Sequence, residues 1–319
     1  MTSISVNVKH KLAGYFRICV TDTTTGNMKE DTGWFKNLIT NQGLDFVAVP
    51  PSTIYWSNIL NTHCSVGTGN TTPAYTDTQL TSFLSVYPAT YIPSVNSFST
   101  SAYVPGPPAY WTGTKVYNFA TGAVVGNIAE VGVGNMTSTD TQPQLYSHSL
   151  IMISGVPGTI SLTATDALTV YYEARIYLDL TDNTYSFNIG VTTYSGTYRR
   201  ALITSVPPFY YAVGYNPSYV GMFTYAYNGT IDVVTSEPTG TKTGGPTSTS
   251  NVLTTYVNGS SYQQVSSTYA TTVGNMTGGI TALLTTSNHG SYQFSVSPDI
   301  PKTSSYSLTL NWSVSWARY

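Results

Sequence analysis

Two reactive side chains, His63 and Cys64, are neighbours in the sequence and suggest a thiol nucleophile with its base. A nucleophile and its base must lie within hydrogen-bond reach, about 3 Å. Consecutive residues of an extended segment point to opposite faces, so this pair does not meet the requirement. We expect Cys64 to pack in the interior and His63 to have no catalytic role.

Two pairs of carboxylates, Glu173 with Asp179 and Glu130 with Asp140, are the candidates for glycoside hydrolysis, which needs two carboxyl groups across a cleft. Glu173 and Arg175 are two residues apart, so a strand places them on one face. A weak ion pair on that face is the simpler interpretation. The sequence also lacks the G-x-S-x-G motif of serine hydrolases. We therefore predict that the protein is not an enzyme.

The glycine-rich segments do not complete a nucleotide-binding motif. Residues 67–70 resemble the start of a dinucleotide-binding loop, but Thr72 occupies the position of the third glycine. Residues 240–245 contain Lys242, but in an order that differs from that of a P-loop. We interpret both segments as turns and predict no nucleotide cofactor.

The histidines and cysteines do not form a metal-binding pattern. His10, His148 and His289 stand without the closely spaced partners that metal sites show. The two cysteines, Cys19 and Cys64, form no C-x-x-C pair and are too few for a disulfide framework. The sequence predicts no metal ion and two free thiols.

Charge is scarce throughout the chain. Of 319 residues, 12 are Lys or Arg and 14 are Asp or Glu, which gives a net charge of −2 and 8% charged residues. Nucleic-acid binding requires a basic patch, so we expect no nucleic-acid partner. The sequence shows no apolar run long enough for a membrane helix and no apolar secretion signal near Met1, so we expect no membrane insertion.

The 27 Tyr residues stand out against 10 Phe and 5 Trp. Tyrosine offers a rigid apolar ring with a polar tip, whereas an unpaired charge is costly to bury between subunits. A Tyr-rich, charge-poor protein suits large static interfaces or the binding of neutral polar ligands such as sugars. Half-buried sheets alone would also explain this composition.

Period-2 alternation of apolar and polar residues dominates and predicts β-strands. Residues 12–20, 170–180 and 306–316 each place apolar side chains on one face and polar side chains on the other. Short helices are predicted only at residues 40–49 and 77–83. The predicted fold is all-β, with two β-sandwich-like domains, long loops and little helix.

The predicted domains are residues 1–182, a β domain, and residues 183–319, a second β-sandwich domain. The boundary follows a long predicted strand. Two Ser-, Pro- and Gly-rich stretches, residues 94–108 and 236–250, are predicted to be loops within these domains.

Four segments of the first half resemble, in order, sequence blocks of structural proteins from tailed bacteriophages, notably tail-fibre-like and collar-like proteins. They cover just over half of the chain, whereas residues 183–319 resemble no family. The segments are Thr32–Asp45, Cys64–Gly69 with Asp77–Leu80, Asn127–Gly134 with Leu145–His148, and Asp166–Arg175.

The same blocks have a physical interpretation. Asn37, Asn41 and Gly43 suit helix caps or left-handed positions. Glu130 lies among small apolar residues, where its carboxylate is expected to accept hydrogen bonds from backbone N–H groups or from Arg175. These roles stabilise a fold and are not catalytic.

The resemblance implies a structural virion protein, a tail-fibre, collar or tail-adaptor subunit that acts by symmetric assembly. It would be made in the host cytoplasm and located in the tail, fibre or neck region. Residues 1–182 would be the virion-attachment and assembly domain, and residues 183–319 would be exposed or contact the host. Its partners would be other copies of itself and other phage tail or neck proteins, with a host-surface glycan as a further candidate. The alternatives are a receptor- or carbohydrate-binding module on the tail and, more weakly, a tailspike-type glycosidase.

The candidate assembly contacts are aromatic residues in and after the predicted loop at residues 94–108. A long loop in a β-sandwich is often a functional arm, and aromatic residues are frequent anchors at interfaces. We expect a neighbouring subunit to order this segment through Tyr103, Tyr110 and Trp111.

Overall fold

The computed structural model describes residues 7–48, 62–88, 100–136, 140–205, 223–245, 249–287 and 290–319. These residues form 24 β-strands and one short α-helix, so the all-β prediction is confirmed. In chain order the strands are β1 (Asn7–Asp22), β2 (Met28–Asp31), β3 (Phe35–Lys36), β4 (Leu38–Ile39), β5 (His63–Gly67), β6 (Phe83–Tyr87), β7 (Thr100–Val104), β8 (Tyr110–Phe119), β9 (Gly126–Ile128), β10 (Glu130–Asn135), β11 (Gln144–Leu150), β12 (Met152–Ile153), β13 (Val156–Pro157), β14 (Ile160–Leu162), β15 (Asp166–Tyr177), β16 (Asn183–Ile189), β17 (Thr192–Ala201), β18 (Phe223–Tyr227), β19 (Lys242–Gly244), β20 (Thr249–Leu253), β21 (Tyr262–Tyr269), β22 (Ile280–Ser287), β23 (Gly290–Ile300) and β24 (Leu308–Arg318).

The largest sheet has nine strands and joins the two ends of the described chain. Its order is β20-β21-β24-β1-β15-β8-β7, and the short strands β2 and β3 also pair with β1. All of its pairs are antiparallel except β1 with β24, which run parallel from Asn7 opposite Ser313 to Leu12 opposite Arg318.

The alternation predicted for β1 and β15 is confirmed. Phe16 and Ile18 of β1 are fully buried, as are Val170 and Tyr172 of β15, whereas the residues between them are partly exposed. Because side chains alternate along a strand, this sheet has one apolar inner face and one polar, tyrosine-rich outer face. Strand β15 ends at Tyr177, three residues before the predicted end at Leu180.

The five-stranded sheet has the order β4-β11-β10-β5-β6, and the helix α1 (Asn41–Phe46) packs next to β11. The predicted helix at residues 40–49 is confirmed in shortened form, with Thr40 as its N-cap: the Thr40 side chain accepts a hydrogen bond from the Gly43 N–H at 2.8 Å. The predicted helix at residues 77–83 is wrong, because these residues form turns that lead into β6.

The six-stranded sheet has the order β16-β17-β23-β22-β18-β19, and two small two-stranded sheets, β12-β13 and β14-β9, complete the described chain. Both predicted loops contain strands. Residues 100–104 of the first form β7, and residues 242–244 and 249–250 of the second belong to β19 and β20. Residues 94–99 and 246–248 lie outside the described residues.

The five-stranded and six-stranded sheets both contact the inner face of the nine-stranded sheet. Tyr146 of the five-stranded sheet meets Tyr172 edge-on at 6.5 Å between ring centroids, and Phe294 of the six-stranded sheet lies 4.8 Å from Trp312. One core contains residues of all three sheets. The nine-stranded sheet takes strands from both sides of residue 182, so the two predicted domains share a sheet; the boundary itself stays a prediction.

Candidate functional site

A buried cluster of ionisable residues lies at the five-stranded sheet. Glu130 begins β10 and His148 lies on the neighbouring strand β11, and both side chains are fully buried. The Nε2 atom of His148 is 2.9 Å from Oε2 of Glu130, and its Nδ1 atom is 2.7 Å from Oδ2 of Asp77. Because ionised carboxylates only accept hydrogen bonds, this geometry suits a doubly protonated, positively charged imidazole.

The register of the two strands makes this contact possible. Gly132 of β10 is the residue directly opposite His148, and Glu130 is its diagonal neighbour. Diagonal neighbours across a strand pair lie within reach of long side chains. The space beside Gly132 is filled by Leu145 and Leu80, whose side chains an added Cβ atom would meet at 2.5 and 3.2 Å.

Backbone N–H groups hold the rest of the Glu130 carboxylate. Oε1 accepts from the N–H groups of Gly69 at 3.1 Å and Ser82 at 2.7 Å, and Oε2 accepts from Thr81 at 3.1 Å. The expectation that Glu130 accepts backbone hydrogen bonds is confirmed. The alternative partner is not used, because Arg175 donates instead to Glu173, at 2.6 Å.

The glycines that precede this site make room for the carboxylate. A Cβ atom on Gly67 would lie 2.5 Å from Oε1 of Glu130, and one on Gly69 would overlap the same oxygen. Gly67 ends β5 and residues 68–70 form no turn, so these glycines serve close packing against Glu130 and not the predicted turn. The result is a segment, residues 68–82, that is fixed to the sheet by Glu130 at both of its ends.

Opposing effects set the protonation of the two buried groups. Burial alone would lower the pKa of His148, but its hydrogen bonds to Glu130 and Asp77 outweigh burial and raise the pKa above its ordinary value. Burial alone would raise the pKa of Glu130, but the bonds from His148, Ser82 and Thr81 lower it. Both shifts favour the charged forms of the two groups.

The hydrogen bonds of the cluster join β10, β11 and the segment at residues 68–82. Two carboxylates and one imidazolium leave one excess negative charge, which the three backbone N–H donors offset. Sequence reasoning named Glu130 and Gly69 but left His148 without a partner. The partner was missed because Asp77 and Glu130 reach His148 only through the strand register.

The other reactive residues singled out in the sequence have structural surroundings. Cys64 lies in β5, not in a loop, and burial raises its pKa well above the ordinary value, which makes the thiol unreactive. Cys19 and Cys64 are both free and buried. Burial, with the nearby charge of Lys115, lowers the pKa of His63 to about 4, and its Nδ1 atom lies 2.7 Å from Oγ1 of Thr62.

Glu173 and Asp179, which were considered for hydrolysis, also accept hydrogen bonds within the fold. Glu173 accepts from Arg175, and Asp179 accepts from the N–H and hydroxyl groups of Thr181 in its own turn, at 3.0 and 2.6 Å. Lys242 pairs with Glu237 at 2.6 Å. Within the described ranges, no group of three or more His, Cys, Asp or Glu residues has an arrangement that could hold a metal ion.

The predicted assembly contacts lie at the β7–β8 edge of the nine-stranded sheet. Trp111 is buried in the chain's own core, and its Nε1–H donates to the Ile203 carbonyl at 2.8 Å. Tyr103 is partly buried against Trp111, at 6.0 Å between rings. Tyr110 keeps partial exposure on the outer face. Their role between subunits stays a prediction, and Trp111 is the most buried of the three.

The outer face of the nine-stranded sheet carries an array of tyrosines and cations. The Arg175 guanidinium lies between two rings, 4.1 Å from the centroid of Tyr15 and 4.7 Å from that of Tyr110. Tyr177 stacks on Tyr319 at 3.7 Å. Burial and a hydrogen bond with Tyr177 raise the pKa of Tyr15 to about 12. This face is preorganised by its own contacts.

No helix in the part of the chain that the structure describes has the length and apolar character needed to cross a membrane. No family model, curated protein or solved structure matches the chain.

Proposed function

We propose that this chain is a structural protein of a tailed-phage virion, a tail-fibre, collar or tail-adaptor subunit that acts by symmetric assembly. One observation carries the proposal. The second and third sequence blocks that resemble phage virion proteins contribute Gly67, Gly69, Asp77, Glu130 and His148 to a single buried cluster.

This convergence supports the resemblance because chance matches would be scattered over the fold. The first block joins the same unit, since Asn37 Nδ2 donates to Oγ of Ser147 at 3.3 Å and Thr40 Oγ1 donates to the Leu145 carbonyl at 2.8 Å. The blocks thus describe one packed module. In such a module the motif residues support a scaffold, which is the requirement of a protein that functions by assembly.

The surface chemistry also supports an assembly role. The outer face of the nine-stranded sheet offers tyrosine rings whose charged neighbours are already paired, as Arg17 is with Asp31 and Arg175 with Glu173. A partner can cover such a face without leaving an unpaired charge in the interface.

The test is to locate the chain in virions. Mass spectrometry of purified particles whose genome encodes this chain should find it in several copies per particle, and electron microscopy should place it in the tail or neck with closed symmetry. Light scattering should give the isolated protein an oligomer mass. Absence from virions would refute the proposal.

A variant can test the predicted contact surface. Tyr110→Ser changes a half-exposed outer-face ring, and Tyr262→Ser changes a ring that is 39% exposed on β21. We expect the Tyr110 variant to be incorporated into virions at a lower copy number and the Tyr262 variant to be incorporated normally. Equal incorporation of both, at unchanged melting temperature, would exclude Tyr110 as an assembly contact.

The alternative of a glycan-binding module is favoured by one observation, a cleft with two exposed tyrosines beside the outer face. The lining of this cleft shares Tyr319 with the outer face, where Tyr319 stacks on Tyr177.

A further inference from the structure

A cleft with a volume of about 160 Å³ opens where strands β1, β3, β4 and β24 meet the segment at residues 68–82. Tyr75 and Tyr319 line it and are 54% and 46% exposed. The volume corresponds to about five water molecules, the size of one sugar ring, and is smaller than the roughly 300 Å³ at which drug-sized sites begin.

A neighbouring side chain packs against one face of each tyrosine ring. The Arg318 guanidinium lies 4.2 Å from the ring centroid of Tyr75, and Tyr319 stacks on Tyr177. Tyr75 is also fixed through its backbone, since its carbonyl accepts from the Asn41 N–H at 2.7 Å. Rings held before a ligand arrives lose little conformational freedom when it binds.

The charge of the lining is positive. Lys36 and Arg318 line the cleft, the lining includes no Asp or Glu side chain among the described residues, and Lys11 lies 5.5 Å from the Tyr319 ring. In a chain with a net charge of −2 and 12 basic residues in all, this is a local concentration of cations. Charge complementarity therefore favours a ligand with a negative group.

The lining also retains hydrogen-bonding capacity. Lys36 Nζ donates to the backbone oxygen of Tyr319 at 2.8 Å, which uses one of its three donors. Arg318 donates through Nε to the Ile39 carbonyl and through Nη2 to Asn41 Oδ1, at 2.5 and 2.7 Å, which leaves other guanidinium N–H groups. Asn37 also lines the cleft, but its Oδ1 is buried and its Nδ2 donates to Oγ of Ser147 in the interior, so its amide faces away from a ligand.

We infer that this cleft binds an acidic saccharide, one pyranose unit that carries a carboxylate. The apolar face of the ring would lie on Tyr75 or Tyr319. The carboxylate would be held by Lys36 and Arg318. The inference goes beyond the assembly role and is tested on the isolated protein, so either can fail without the other.

Matched sugars test the charge requirement. Ligand-observed NMR titrations compare glucuronate with glucose and galacturonate with galactose, pairs that differ at one carbon. We expect the acids to bind with a Kd of about 1 mM and the neutral sugars to bind at least about ten-fold more weakly. Added salt should weaken the binding of the acids, because it screens the charges. Equal affinity within each pair, or no binding of either acid, would overturn the inference.

Matched variants locate the site. Lys36→Gln and Tyr75→Ala should each weaken glucuronate binding by about ten-fold, since each removes one class of contact. Lys242→Gln is the control, because Lys242 also lies over a tyrosine, 4.2 Å from the ring centroid of Tyr225, but outside the cleft. Thermal melting checks that all three variants fold. Binding that is unchanged in folded Lys36→Gln and Tyr75→Ala proteins would place the ligand elsewhere and refute the cleft.

Discussion

The imidazole of His148 is held 2.9 Å from the carboxylate of Glu130, and neither side chain has any solvent exposure. Strands β10 and β11 carry the two residues as diagonal neighbours. A buried pair of this kind is costly to break, because removal of one member leaves the other charged and unpaired. The pair therefore fixes the relation between two strands and the segment at residues 68–82.

Glu130→Gln should destabilise the protein by about 3–5 kcal/mol, the usual cost of breaking a buried ion pair from one side. The amide keeps the size of the side chain, but its NH₂ group replaces an accepting oxygen and faces either the His148 ring or the backbone N–H groups. Urea unfolding followed by circular dichroism measures the free energy of unfolding.

Asp182→Asn is the control for this experiment. Asp182 pairs with Arg199, and its side chain is 49% exposed. An exposed pair contributes about 0–1 kcal/mol, so this variant should unfold close to the wild type. If the two variants lost equal stability, the cluster would have no special structural role.

The cluster should give stability a defined pH dependence. The raised pKa of His148 makes its contribution complete below the ordinary value of 6.5, and the contribution is lost as pH rises through the raised value. The lowered pKa of Glu130 makes its contribution complete above the ordinary value of 4.5, and it is lost as pH falls through the lowered value. The contribution of the cluster is therefore greatest between pH 4.5 and 6.5.

His148→Gln isolates this effect, because other titrating groups are common to both proteins. The difference in unfolding free energy between wild type and variant should be greatest in that window and should shrink above it. A difference that grew steadily from pH 6 to pH 9 would show that His148 is neutral in the folded protein.

Local patterns in the sequence were sufficient to predict strands such as β1 and β15 and the start of helix α1. Alternation in β1 and β15 predicted which residues are buried, and Thr40 caps the helix as a threonine before an apolar turn should. These features depend on residues close together in the chain. For the same reason, the sequence indicated that Glu130 accepts backbone hydrogen bonds, since its small neighbours implied burial.

Long-range features could not be predicted in this way. Asp77 and His148 meet only because two separate strand pairings bring them together, and no local period encodes that register. The parallel pairing of β1 with β24 likewise joins residues about 300 positions apart. Trp111 was expected to face a partner, but its strand position places it on the inner face, where its N–H group finds the Ile203 carbonyl.

Gly43→Ala should destabilise the helix–sheet contact. Gly43 lies inside α1 without a positive φ, so the predicted left-handed role is wrong; its importance is steric, because a Cβ atom there would overlap the carbonyl oxygen of Tyr146. Relief requires α1 to move away from β11, which loses packing and should cost about 1–3 kcal/mol. Thermal melting measures the loss.

Gly155→Ala provides the comparison. Gly155 has a φ of +84°, and a Cβ atom added there would meet no other atom within 4 Å, so its substitution costs only backbone strain, about 1 kcal/mol. Amide hydrogen exchange at Leu44 follows the displacement of the helix directly. Faster exchange at Leu44 is expected in the Gly43 variant and not in the Gly155 variant; unchanged exchange in both would contradict the steric argument.

Removal of residues 308–319 should abolish cooperative folding. These residues include all of β24, which pairs with β21 on one side and with β1 on the other. Its inward residues are nearly or fully buried: Leu308, Leu310, Trp312, Val314 and Trp316. Tyr306 was predicted to share this face, but it lies before the strand and is 41% exposed.

Single substitutions show whether stability depends on the buried residues of β24 or only on the length of the chain. Trp312→Ala should cost about 3–5 kcal/mol, as for other buried aromatic residues, whereas Tyr306→Ala should leave stability nearly unchanged. Near-ultraviolet circular dichroism and thermal melting follow both variants and the truncated chain. A truncated chain that melted like the full chain would mean that β1 and β21 are stable without β24. The nine-stranded sheet would then consist of two independent parts.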